Sequence, residues 1–166
     1  MVLLALVLLG FYLSWRATRL DRLHHRVETA RAALDAALVR RAAAVLDLAA
    51  AEGLDPEAAR TLADGANRAR RAGDTDRELA ESALSATLRS ALDGLPPDAS
   101  SSPRLVPHLE EVAVAARGVH LARVFHNDAV ADTRRARRSR LVRHLRLAGT
   151  AALPGYFEMD DRTPER

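Results

Sequence analysis

Met1 to Trp15 reads MVLLALVLLGFYLSW, an apolar run that carries no charged side chain and stops at Arg16. Its members Val2, Leu3, Leu4, Leu6, Val7, Leu8, Leu9, Phe11, Tyr12, Leu13 and Trp15 form the expected membrane anchor. At about 1.5 Å of helical rise per residue, the run covers about 22 Å of a hydrocarbon core of about 30 Å. Continuation through Ala17 and Leu20 supplies the missing length, because Arg16 and Arg19 can lift their charges to the interface on apolar stems. Tyr12 and Trp15 fall at the charged end, where aromatic rings favour the headgroup layer. A cleaved signal peptide is the competing reading. It calls for a basic segment before the run and a small-x-small step after it, and Ser14-Trp15-Arg16-Ala17 offers none. Residues 1–19 are therefore expected to stay as an anchor. Arg16, Arg19, Arg22 and Arg26 follow it closely and no charged side chain precedes it. That bias predicts a single-pass protein of the cell membrane, N-terminus outside and body in the cytoplasm.

Beyond the anchor, about 145 residues remain, enough for one ordinary core. Hydrophobic residues make up 48% of the chain but aromatics only 4%, so much of the apolar content is alanine. Alanine-rich, arginine-rich chains favour helices with closely approaching backbones and thin cores. Such a core is compatible with self-association. The absence of cysteine excludes disulfides, thiolate metal sites and cysteine-linked lipids. Net charge is only +3, so the distribution of charge carries more meaning than its total.

The pattern after the anchor is helical. Leu20, Leu23, Val27, Ala30, Leu34, Ala37 or Leu38, Val45 and Leu48 recur at three- and four-residue spacing, predicting one amphipathic helix continuous with the anchor to about Ala51. Arg40–Arg41 interrupts that seam and reads better as a solvated face than as a buried pair with acids. Gly53 serves as a stop, and Asp55-Pro56-Glu57 supplies an N-cap, a first-position proline and a first-turn acid. A second helix turns Ala58, Ala59, Leu62, Ala63, Ala66 and Ala69 inward and ends at Gly73. A third, capped by Asp74 or Thr75, presents Leu79, Ala83, Ala86 or Thr87, and Ala91 inward, with Leu84, Leu88 and Leu92 alongside, and closes at Gly94. Leu95 to Pro107 holds four prolines and three serines and reads as a loop. A fourth helix from about Pro107 places Leu109, Val112, Ala116, Val119, Ala122, Phe125 or His126, and Val130 in its seam. Gly118 within it suggests close packing to a neighbour.

Arg134, Arg135, Arg137, Arg138, Arg140, Arg143 and Arg146, with His144, form a basic run without an acid. In an up-down-up-down bundle the fourth helix returns toward the membrane, which brings this run beside Arg16 to Arg26. Pinning to an anionic leaflet, at about 1 kcal/mol per basic residue, is then its expected role, alongside the plain solvated-end reading. The tail over 149–166 is apolar with small residues to Phe157, turns acidic at Glu158, Asp160 and Asp161, and is expected to be partly disordered. It reads as a capping segment or an interfacial patch.

Two stretches resemble the LemA family of bacterial membrane proteins. Leu20 to Leu48, LDRLHHRVETARAALDAALVRRAAAVLDL, is similar to that family's leading helix, with an RVE-type step and a paired-basic step at Arg40–Arg41. Ala122 to Asp132, ARVFHNDAVAD, resembles its F-x-N-D-A-V signature through Phe125, Asn127, Asp128, Ala129 and Val130, and Tyr156-Phe157-Glu158 fits its ending. Arg31 stands where the family usually has tryptophan, Leu46–Asp47 replaces a proline–asparagine step, and His126 takes a tyrosine's place. The resemblance implies a divergent member: an all-α, antiparallel up-and-down four-helix bundle over residues 20–148, with long first and last helices, on an N-terminal transmembrane helix. It also implies no established enzymatic activity.

No paired acid/base arrangement, nucleophile–base pair, Gly-rich phosphate loop or zinc motif occurs, so neither a catalytic residue nor a cofactor is expected. Bundle di-metal sites need Glu-x-x-His pairs; Asp21-x-x-His24 is the nearest approach, and His24–His25 read as a solvated pair, so no metal is expected. His108, His120, His126 and His144 lack ligand spacing. Asn127 and Asp128 are expected to reach Arg40 or Arg41 on the first helix as a register-setting contact. The function expected is a non-enzymatic, membrane-anchored adaptor or scaffold with an unidentified protein partner. Nucleic-acid binding through Arg134–Arg146 is the weaker alternative, lacking interleaved aromatics and a reading motif.

Overall fold

The computed structural model describes residues 1–138 and 152–162. It is all-helical: α1 (Val2–Ala50), α2 (Pro56–Arg71), α3 (Arg77–Asp93), the single turn α4 (Pro97–Ser100) and α5 (Val106–Arg137), with no strand among the described residues. Anchor and amphipathic seam are one helix of 49 residues, as the uninterrupted helical spacing predicts. Gly53 stands three residues past its end at φ +101°, a conformation open to glycine at little cost. The Asp55 carboxylate then accepts from the Glu57 and Ala58 amides, both at 3.0 Å, with Pro56 at the first helical position. The cap of α3 falls at Asp76, without a side-chain hydrogen bond, instead of at Asp74 or Thr75. Within the proline-rich loop, Pro96–Pro97 starts the short α4, proline being tolerated where a helix has no amide partner to lose.

The chain divides into two compact units: Met1–Ala32 with Val124–Tyr156, and Ala33–Arg123 with Phe157–Arg166. In the second unit Ala42, Val45 and Leu48 of α1, Leu62, Ala66 and Ala69 of α2, Leu84 and Leu88 of α3, Leu105, and Val112 and Ala115 of α5 share one buried cluster. A smaller cluster joins Leu34 and Leu38 of α1 to Val119 of α5. Small residues let the backbones approach. A side chain at Gly65 of α2 would meet Leu84 Cδ1 of α3 at 3.4 Å, whereas Gly118 has open space where its Cβ would be. The close approach expected at Gly118 therefore belongs to Gly65.

In the first unit α1 and α5 run antiparallel. Leu23 O lies 3.4 Å from Thr133 Oγ1, Arg26 reaches Asp132, and Val27 packs on Ala129 and Val130. α5 is helical through Arg137, and the expected end before Gly149 lies outside the described residues, as do Arg140, Arg143, His144 and Arg146.

The buried face of α3 differs from the sequence reading. Leu79 is 74% exposed, while Glu81, Leu84, Ser85 and Leu88 are buried. Three- and four-residue spacing fits both faces, and a polar pair on the inner one disguised it.

Candidate membrane anchor and charged contacts

The N-terminal part of α1 is largely uncovered. Val2, Leu3, Leu4, Leu6, Val7, Leu8, Leu9 and Phe11 are all exposed, and Leu13 is half-buried. This is one candidate membrane-spanning helix near the N-terminus, a description that a signal sequence also fits. At its charged end the rings of Tyr12 and Trp15 lie 6.3 Å apart. The Arg16 guanidinium sits 5.7 Å from the Tyr12 centroid and that of Arg19 sits 5.9 Å from Trp15. Helical spacing produces both contacts, since residues four apart share a face. Each arginine thus stacks on the ring preceding it by one turn, holding its charge at the end of the apolar run. Trp15, Thr18, Arg19 and Arg22 also border a shallow notch of about 210 Å³.

Farther along, the charged residues separate into three settings. Arg26 donates to Asp132 at 3.1 Å with both side chains near half exposed. Arg134 and Arg137, expected to face a leaflet, bind the chain's own tail. Arg134 Nε donates to Pro154 O at 2.8 Å with its guanidinium 4.8 Å from the Tyr156 ring, and Arg137 donates to Ala152 O at 3.0 Å. Arg135 and Arg138 are exposed.

The third setting is buried. Arg41 and Glu81 are 3% and 2% exposed and meet at 2.6 Å. Arg41 also donates to Ser85 Oγ at 2.8 Å and Glu81 O at 3.2 Å, and Ser85 Oγ donates to Glu81 O at 3.0 Å. The Arg40–Arg41 step is therefore split: Arg40 is exposed as expected, whereas Arg41 crosses to α3. Sequence spacing did carry a signal, because Glu81 and Ser85 are one turn apart beside Leu84 and Leu88, on the face that an apolar stripe marks as inner. Asp128 is exposed and Asn127 half-buried. Val130 seats on Val27, level with the first part of α1, and Arg41 spends its hydrogen bonds on Glu81 and Ser85 of α3. Of the remaining signature residues, Ala129 and Val130 are core, Phe125 is 61% exposed, and His126 takes the buried seam position.

The acidic tail was the least legible part. Residues 157–162 run extended across the second unit, where Phe157 and Met159 pack with Leu34, Leu38 and Val119. Asp160 accepts from Arg89 at 2.7 Å. Asp161 accepts from Arg123 at 2.7 and 3.0 Å and pairs with His120 Nδ1 at 2.9 Å. Hydrogen bonds from the Arg162 side chain and amide, then from Arg89, hold the Asp160 carboxyl far below the usual carboxylate range. Partial burial pushes Asp161 up, but hydrogen bonds from Arg123 and His120 outweigh it and leave its carboxyl below the ordinary value.

A cleft of about 870 Å³ opens between the start of α2 and the end of α3, lined by Leu54, Glu57, Thr61, Thr87, Ser90 and Pro96 among others. Its lining combines apolar side chains with the carboxylates of Asp55 and Glu57 and the hydroxyls of Thr61, Thr87 and Ser90. Among the described residues no three metal-ligating side chains gather. In comparison with known proteins, the chain matches no family model, no curated protein and no solved structure.

Proposed function

We propose that this chain is a single-pass, membrane-anchored adaptor or scaffold of LemA-like type, whose helices form an up-and-down four-helix bundle held at the cytoplasmic face. The carrying observation is the opposition within α1, where Val2–Phe11 leaves every large apolar side chain uncovered while Leu34, Leu38, Val45 and Leu48 are core. Uncovered apolar length on this scale supports a lipid surrounding. The Tyr12–Arg16 and Trp15–Arg19 stacks fit an interfacial belt, and the charge bias after them favours N-out insertion. The shared core of α1, α2, α3 and α5 and the antiparallel register of α1 and α5 support the bundle. For contact with anionic lipid, Arg19 and Arg22 beside Trp15 are better placed than Arg134 and Arg137, whose guanidiniums hold tail carbonyls. The same engagement bears on the nucleic-acid alternative at Arg134 and Arg137 only, since Arg135 and Arg138 stay exposed.

The test is protease accessibility in intact cells and spheroplasts, with an epitope tag at Arg166. Protection in both until lysis is expected. Digestion in spheroplasts places the body on the outer side and removes the leaflet role of the basic residues. A tag released into the soluble fraction with a shortened chain identifies a cleaved leader and ends the anchor reading.

A further inference from the structure

We propose that the groove of the second unit between α1, α3 and α5 is a recognition site for an extended acidic peptide of pattern aromatic-x-apolar-Asp-Asp, with residues 157–162 as its built-in competitor. For its biological use the inference rests on the adaptor reading; the groove's chemistry stands on its own contacts.

The segment from Phe157 to Arg162 has no secondary structure of its own. Alternate side chains of an extended chain point the same way, and here Phe157 and Met159 enter the apolar cluster of Leu34, Leu38 and Val119. Its amides bond to side chains instead of to a neighbouring strand. Glu158 N–H donates to Glu78 Oε1 at 3.0 Å and Asp160 N–H to Ser82 Oγ at 3.1 Å. The Ser82 hydroxyl hydrogen is committed to Glu78 O at 2.7 Å, so its oxygen is held as an acceptor for that amide. Glu78 and Ser82 are one turn apart, and Arg89 lies farther along α3, giving a ridge that reads backbone first and charge last.

The charge step is two-sided. Asp160 is taken by Arg89 of α3, which also donates to Arg162 O at 3.1 Å, and Asp161 by Arg123 and His120 of α5. Arg89 and Arg123 are 25% and 22% exposed. A neutral peptide would leave two partly buried guanidiniums without anions, which discriminates against it. Side-chain acceptors for the peptide's amides, an apolar floor and a two-cation end are the parts of a linear-peptide site. The chain's own tail is one peptide that satisfies it. Tethered segments compete at effective concentrations of the order of millimolar, so a partner's acidic segment binds measurably only when it outcompetes or meets a loosened tail.

The probe is a fluorescein-labelled peptide of the sequence Pro154–Arg162, PGYFEMDDR, read by anisotropy against the full chain in detergent. Two variants free the groove independently: D160N/D161N, and a chain ending at Gly155. Both are expected to bind the probe at least tenfold more tightly than the unmodified chain. The probe with both aspartates replaced by asparagine is expected to lose that gain, as is R89Q/R123Q placed in the loosened chain. A loosened chain that keeps its helical circular dichroism yet binds no better overturns the proposal, and so does binding indifferent to R89Q/R123Q. Unfolding of both loosened variants overturns it too, by making the tail a part of the core. None of these readouts depends on membrane side, so failure of the anchor reading shows separately in the protease assay.

Discussion

The two ends of α1 are made of the same residues and meet opposite fates. Leu3, Leu4, Leu6, Leu8 and Leu9 are each at least half exposed, while Leu34, Leu38 and Leu48 are at most 1% exposed. Neither leucine content nor helix propensity differs enough to explain this. What differs is the interval between apolar residues. Before Arg16 they occupy every face, the pattern of a candidate membrane-spanning helix. Past Arg16, polar side chains restrict them to one stripe, which protein can cover. Arg41 lies within that covered stripe as its one internal cation among the described residues of α1, and it is tolerated because Glu81 and Ser85 meet it.

The sharpest way to break this comparison is at Arg41. Replacing Glu81 with Ala strands a buried guanidinium, and the expected loss of stability is about 3–5 kcal/mol, measured by chemical denaturation in detergent. Replacing the pair together, R41L/E81L, removes both charges and is expected to recover most of that loss. If E81A alone proves harmless, the cation is reaching water. Core leucine comes next. Leu48→Ala is expected to cost about 2–5 kcal/mol, whereas Leu6→Ala changes unfolding of the body by less than about 0.5 kcal/mol. Leu8→Arg sharpens the other side. It leaves body stability in place but costs insertion roughly 2.5–3.5 kcal/mol, read as material released by alkaline extraction of membranes. At the exposed pair, Arg26→Gln is expected to cost no more than about 1 kcal/mol, since water screens Arg26 and Asp132 as it cannot screen Arg41 and Glu81.

The smallest effect is the pH dependence of the tail. Asp160 and Asp161 both have carboxyls lowered from 3.8 on folding. Groups lowered this way add stability above their unfolded value and lose it as pH falls through the folded one. Docking of residues 157–162 is therefore expected to hold at and above pH 5 and to fade below about pH 4, monitored by amide exchange at Glu158 and Asp160. In D161N the remaining dependence should follow Asp160 alone.

The apolar start of α1, the helical class, the stop at Gly53 and the cap at Asp55 were legible because each is set by neighbours in sequence. An apolar run, a positive-φ glycine and an Asp-Pro-Glu step act within a turn or two, and α1 could be read nearly end to end. Val112, Val119 and Val130 followed from helical period for the same reason. The face of α3 left one trace, the one-turn step of Glu81 and Ser85 beside Leu84 and Leu88, but the burial of Arg41 and the docking of the acidic tail were not legible. An arginine in a seam costs too much to bury alone, and its partner stands 40 residues away. Only the folded arrangement brings Glu81 and Ser85 to it. The tail has no period to read, and its aspartates are ordinary surface residues until Arg89 and Arg123, some 71 and 38 residues earlier, are brought alongside. By itself the sequence determined the four longer helices and which of them begins with apolar residues on every face, because backbone propensity and apolar spacing are local. The tertiary structure decided which charges are paired and buried, because Coulomb and desolvation terms depend on distances in space that residue spacing does not set.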